Sequence, residues 1–339
     1  MNSAEDLLDE LCYHAGELPI SAGRGGCPPP EISCRLATAE SQRGLQLASP
    51  YFTRDFSPRS LGAAWLPFCQ LLRQHGVLLF SPASHLEQVP AAAVPARAST
   101  HFINQPLDPL EITTADAIEI ACADDRRRSW AWSCELSPSQ LPDFLSAVRQ
   151  AAGGDTPVGV GLPADCHAAD IHRVLHAGVD FISLTSRSRR GEVADIYGLV
   201  QCRRLACQAG RSALPILIAV PVSDIDRAHK LLALGATAVS LDGLLQPLLA
   251  AALRPSSSSE LGGGLLSGLA PAATRKSPTL GDVAAAVGGF QTALRERLQA
   301  VGVSRLADFT GDSLRSCSPQ SELLTAVPPL RFAQVPSPG

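Results

Sequence analysis

Lysine is almost missing from this chain: 339 residues hold only Lys230 and Lys276. Schiff-base chemistry needs an amine desolvated at a site, and Lys230 lies inside a helix-length segment. An imine-forming aldolase or isomerase therefore has no good carrier here. No apolar run reaches the ~18–20 residues of a membrane-spanning helix. Met1–Asp6 is acidic and lacks the apolar core of a secretory leader, so the expectation is a cytoplasmic protein with no membrane partner. Positive charge is not in excess either: 28 basic residues stand against 32 acidic ones, a net −4, which leaves no global field to gather nucleic acid. None of the ten cysteines forms a Cys-x-x-Cys pair. Their scatter through apolar segments reads as buried thiols rather than a disulfide frame. The glycine-rich dinucleotide fingerprint after a strand is absent as well.

What is present is a repeated unit between Thr156 and Leu241. Short β-rich apolar runs occur at Pro157–Leu162, Asp180–Leu184, Pro215–Val220 and Ala236–Leu241. Helix-length amphipathic segments separate them at Asp165–Ala177, Glu192–Ala209 and Ser223–Leu234. Apolar strands alternating with helices indicate parallel strands covered on both faces. Gly178, Gly210 and Gly235 stand where helices end in a left-handed cap, and Ser223-Asp224 supplies N-cap candidates.

Towards the N-terminus, residues 1–15 read as a short amphipathic helix and 16–43 as loop, with Gly44–Pro50 a first short strand. Ser57–Gly76 reads as a helix and Val77–Phe80 as a strand. The Pro- and Ala-rich stretch 83–115 is irregular apart from an edge strand at Leu110–Thr113. Ala117–Ala121 is a strand and Pro138–Ala152 a helix. After the repeats come a helix at Leu244–Leu253, a Ser/Gly/Pro-rich stretch at 254–279, a strong helix at Val283–Val301 and a polar tail. Six or seven βα strands fall just short of eight. The expected fold is an α/β (β/α)8 TIM-like barrel, complete or short by a strand, over 46–253. An irregular segment (1–45) precedes it; a low-complexity insertion (254–280), a post-barrel helix (281–315) and a flexible tail (316–339) follow.

Certain stretches carry a resemblance. Ala115–Ile120, Pro157–Leu162 and Ala177–Leu184, in that order, resemble the FMN-binding barrel of glutamate synthase. Leu231–Val239 is similar to the run into that barrel's last strand, and Leu294–Gly311 to its post-barrel helix and turn. Coverage is about residues 50–315. The resemblance implies a barrel, an FMN cofactor and reductive amination of 2-oxoglutarate to glutamate.

The positions of the chemistry depart from the family. Gly161 stands where the family has a lysine able to face a reduced flavin. Ser186–Glu192 replaces a Gly-rich loop containing His and Asp. Ala219-Val220-Pro221-Val222-Ser223-Asp224 replaces the Asp-Gly-Gly whose amides cradle the flavin phosphate. Asp242-Gly243 places a carboxylate near that phosphate's position. No cysteine lies between Cys207 and Cys317, so the cluster ligands that follow the family's barrel are missing and no iron–sulfur cluster is expected. No catalytic residue is assigned. The alternative reading is a non-catalytic barrel, a small-anion binder or protein-interaction scaffold.

For the anion site the candidates are Arg126, Arg127 and Arg128 after one strand and Arg187, Arg189 and Arg190 after another, all on loops leaving the strands' C-terminal ends. Arg127 stands where the family has a lysine. The bland reading is a solvated loop with Asp124, Asp125 and Glu192 as counter-charges. Cys166, His167, His172 and His176 lack a complete ligand set, so no metal is expected. Glu119 either points into the barrel as an acid or pairs with an arginine. Trp130 and Trp132 read as packing over the barrel mouth.

Overall fold

In a computed structural model of the chain, the described residues are 7–13, 28–36, 44–103, 106, 108–121, 140–186, 192–253 and 279–328. Three short strands come first: β1 (Leu11–Tyr13), β2 (Cys34–Leu36) and β3 (Leu45–Leu47). Eight more form a closed, all-parallel barrel: β4 (Tyr51–Thr53), β5 (Leu78–Phe80), β6 (Arg97–Phe102), β7 (Ala117–Ala121), β8 (Val158–Pro163), β9 (Phe181–Thr185), β10 (Ile216–Ala219) and β11 (Ala238–Ser240). The ring shuts where β11 meets β4, with Val239 opposite Tyr51 and Ser240 opposite Phe52.

Side chains alternate across this ring, as the period of a strand requires. Ile118, Ile120, Val158, Val160, Ile182, Leu184, Ile216, Ile218 and Val239 pack outward into the main core beneath the helices. Phe52, Leu78, Phe80, Ala98, Ala117, Phe181, Leu217 and Ala238 form a separate inner cluster. Gly159 makes room for the largest of these, since a Cβ there would run into the Phe181 ring. β2 and β3 form an antiparallel hairpin whose Leu36 and Leu47 join the inner cluster. Because Leu47 leads directly into β4, this hairpin plugs the N-terminal end of the barrel.

The outer helices are α1 (Pro58–Leu61), α2 (Trp65–Gln74), α3 (Pro109–Thr113), α4 (Gln140–Ala151), α5 (Ala168–His176), α6 (Glu192–Gln208), α7 (Ile225–Ala233) and α8 (Asp242–Ala252). Gly178, Gly210 and Gly235 close helices at φ 75°, 72° and 107°, as the sequence indicates. Asp224 caps α7, accepting the Arg227 N–H at 2.9 Å. Beyond the barrel, α9 (Leu280–Ala300) packs on α8 and α2, and Gln291 donates to the His75 carbonyl at 2.6 Å. A last strand, β12 (Leu314–Ser316), pairs antiparallel with β1, and α10 (Pro319–Thr325) follows.

Five expectations are corrected. Residues 7–13 form a turn and β1 rather than a helix, because pairing with β12 satisfies the backbone there. The strand read over Gly44–Pro50 splits: its apolar part is the plug hairpin, and the barrel strand is Tyr51–Thr53. Leu110–Thr113 lies in helix α3, not an edge strand. Asp108 caps it by accepting the Leu110 N–H at 2.9 Å, and Pro109 suits its first turn. β6 lies inside the stretch read as irregular. Its Arg97 is buried and donates to the Ser81 carbonyl and Glu111 carboxylate, both at 2.9 Å, and to Thr114 Oγ1 at 2.7 Å. Ion pairing, not apolar packing, holds that strand's outer face. The expected tail likewise carries the end of β12 and α10 within 316–328.

Candidate functional site

Sites on a βα barrel are built where the strands' C-terminal ends converge. Here the interior at that end is closed by an ion pair. Arg54 leaves β4 two residues after the inward-facing Phe52, so its side chain also points inward. Its Nη2 donates to Glu119 Oε1 at 2.7 Å and its Nη1 to Thr185 Oγ1 at 2.8 Å. The guanidinium lies 4.8 Å from the Phe80 ring centre. Glu119 on β7 is buried, and Oε1 also accepts from Thr100 at 3.3 Å. Gly161 on β8 leaves the space that Glu119 fills: a Cβ there would sit 3.0 Å from the carboxyl carbon. Glu119 Oε2 and Ser183 Oγ, both buried, have no partner among the described residues, which leaves two polar atoms in the barrel interior able to meet a water or a small polar group. Glu119 points inward, and of its two readings the pairing with an arginine is the one seen.

Next to this pair lies the junction of the seventh and eighth barrel strands with α8, where phosphate-binding barrels hold their phosphate. The chain fills that position itself. Asp242, the first residue of α8, is buried. Both its carboxylate oxygens accept the Arg54 N–H at 3.1 Å, and Asp55 N–H approaches at 3.4 Å. The Ser240 hydroxyl donates to it at 2.6 Å, and the Thr53 hydroxyl donates to its other oxygen. This carboxyl group therefore occupies, at the helix N-terminus, the place of a bound anion. Three of the first-turn amides are also engaged: Asp242 N–H meets Ser240 Oγ at 3.1 Å, and those of Leu244 and Leu245 meet the Leu241 carbonyl. Gly243 is roofed by the chain, since a Cβ on it would lie 2.7 Å from the Val222 carbonyl oxygen and 3.1 Å from the Val222 nitrogen.

Arg126, Arg127, Arg128, Arg187, Arg189 and Arg190, with Trp130 and Trp132, lie outside the described residues. In sequence they follow β7 and β9, the two neighbours of β8. His172 and His176 are exposed and stacked on the surface of α5 at 6.4 Å. Among the described residues no cluster of three metal-ligating side chains occurs. Arg54 was missed in the sequence because β4 was placed too early; a strand at Tyr51–Thr53 puts Arg54 on the inner face by parity. At the opposite, N-terminal end, a cavity of about 530 Å3 lies between the hairpin, α6, α7 and the segment after α9, with Arg203 in its wall. Arg203 is held by the carbonyls of Ser212, Leu214 and Gly235. Burial pushes its pKa down.

No protein-family model and no curated protein sequence matches the chain. Solved structures do. The flavin-binding domain of baker's yeast flavocytochrome b2 is 14% identical at a TM-score of 0.60, over 98% of this chain and 81% of that one. A flavocytochrome b2 variant with benzoylformate is 15% identical at 0.60, over 98% and 80%. Mandelate oxidase with (S)-2-phenylpropionate is 14% identical at 0.57, over 89% and 85%. At these identities the likeness is one of fold, an eight-stranded βα barrel shared with flavin enzymes, and none of the three is a glutamate synthase.

An FMN phosphate does not fit the residues present. Its position at α8 holds a buried carboxylate, a glycine roofed by backbone and amides already bonded within the chain. Among the described residues no helix is long and apolar enough to cross a membrane.

Proposed function

We propose that this chain is a non-redox barrel of flavin-enzyme architecture that binds a small anion over its mouth and takes up no FMN. The observation that carries the reading is Asp242: a hydrogen-bonded carboxyl group at the α8 N-terminus fills the phosphate's place and takes the donors it would use. The anion would be held by the guanidiniums of Arg126, Arg127, Arg128, Arg187, Arg189 and Arg190, which follow β7 and β9 in the sequence. Arg54 is not part of that set, because Glu119 and Thr185 occupy it.

The fold likeness favours a second reading, an FMN-dependent oxidoreductase, for which the sequence resemblance suggests the glutamate synthase reaction. Titrating FMN with the purified protein, read by quenching of flavin fluorescence, separates the two. The first reading expects no saturable quenching and a colourless protein; micromolar flavin binding would overturn it. Thermal shift with inorganic phosphate and small dicarboxylates tests the anion site. Stabilisation that disappears in Arg187→Ala/Arg190→Ala supports it, and no stabilisation by any of these anions removes it.

A further inference from the structure

The expectation of buried thiols holds for Cys69, Cys166 and Cys202, but Cys207 and Cys317 are exposed and Cys12 and Cys34 half-buried. Cys317 Sγ lies 3.7 Å from Cys12 Sγ, although 305 positions separate them. The register explains the meeting. Cys12 sits opposite Arg315 in the β1–β12 ladder, and the Cys317 N–H donates to the Glu10 carbonyl at 2.8 Å, one rung further on. The two cysteines are thus diagonal neighbours on one face of the ribbon.

We infer that Cys12 and Cys317 form a reversible disulfide that fastens the N-terminal strand to the C-terminal segment. A disulfide needs its sulfurs about 2.05 Å apart, with Cα atoms within about 7 Å, and diagonal partners stand at about 7–8 Å, so bridging them takes a small backbone movement. Cys317 lies one residue past the end of β12, where a shift of its backbone with a turn of χ1 disturbs no ladder pair within the strand. Nothing covalent otherwise ties β1 down. It is held by three ladder pairs, by the Asp9–Arg227 ion pair at 2.7 Å, and by Tyr13, whose ring stacks on Phe309 and lies 3.9 Å under the Arg297 guanidinium. The oxidant is a low-molecular-weight disulfide such as oxidised glutathione. The exposed Cys317 thiolate attacks it, forming a mixed disulfide and expelling one glutathione thiolate. The Cys12 thiolate then attacks the Cys317 sulfur and expels the second. Two protein thiols give up two electrons and two protons, and one glutathione disulfide leaves as two thiols.

This inference is independent of what the barrel mouth binds. It is tested on the full chain incubated with oxidised glutathione, by intact mass, non-reducing peptide mapping and thermal unfolding. The expected result is a loss of about 2 Da, a linked Cys12–Cys317 peptide, and a thermal midpoint higher by about 5 °C, all reversed by a thiol reductant. Cys12→Ser is expected to stop at a glutathione adduct on Cys317, and Cys317→Ser to lose the linkage. A wild-type protein that accumulates the Cys317 adduct without the linked peptide overturns the inference, as does a linkage between other cysteines or between two chains.

Discussion

Asp242 and Arg54 are joined through backbone rather than charge: the Arg54 N–H sits 3.1 Å from each Asp242 carboxylate oxygen while the Arg54 guanidinium turns away to Glu119. One carboxylate therefore stitches the last barrel strand to the first. Asp242→Ala leaves the Arg54 amide and the Thr53 and Ser240 hydroxyls unpaired in a buried place, and is expected to cost about 3 kcal/mol in urea unfolding. A loss below about 1 kcal/mol would mean that water replaces the carboxylate and that the seat is not truly filled.

Across the mouth, Glu119→Gln removes the carboxylate that pairs with Arg54. The expected cost is about 3 kcal/mol. Replacing both members, Arg54→Met with Glu119→Leu, is expected to restore most of it, because neither charge then remains to be solvated. A double-mutant cycle measures this, and a double variant no more stable than Glu119→Gln would contradict the account.

Behind the same strand, the Tyr51 hydroxyl lies 2.9 Å from His229 Nε2 and donates to the Phe290 carbonyl at 3.3 Å, linking β4, α7 and α9. Burial, with the Arg297 guanidinium adding to it, lowers the His229 pKa to about 4. In the unfolded chain this imidazole takes a proton below about 6.5. Between those values the unfolded state binds more protons, so stability falls as pH drops, by up to about 3 kcal/mol in total. Unfolding midpoints across pH 4–7 for wild type and His229→Gln check it. The variant is expected to show a shallower slope over that window, and parallel slopes would assign the acid sensitivity elsewhere.

Inside the barrel, Gly159→Ala drives a methyl into the Phe181 ring and is expected to cost about 2 kcal/mol. Adding Phe181→Leu frees that space, and denaturation of the double variant is expected to regain about half of the loss. No recovery would show that the strain falls on the backbone instead.

The barrel was legible wherever burial on both faces left an unbroken apolar run. β8 to β11 and their glycine-ended helices follow from the sequence almost residue for residue. β6 was hidden because its outer face is held by Arg97, Ser99 and Glu111, which gives a strand with no apolar signature. β4 was displaced by the stronger apolar pattern of the plug hairpin just before it. The site was half legible. Asp242 was visible as a carboxylate out of place, but its donors, Arg54 N–H among them, come from the far end of the barrel in sequence. Only closure of the ring brings them together.

That closure also sets an order on assembly. The first strand of the ring keeps an open edge until its partner, some 190 positions later by the Asp242–Thr53 separation of 189, has been made. Until then, the cork that precedes it has no bottle to seal. Nascent or truncated chains ending before Ser240 therefore display an unpaired strand edge beside apolar Leu36, Leu47 and Phe52. Such fragments are expected to seek that missing edge in one another and precipitate, while the finished ring does not.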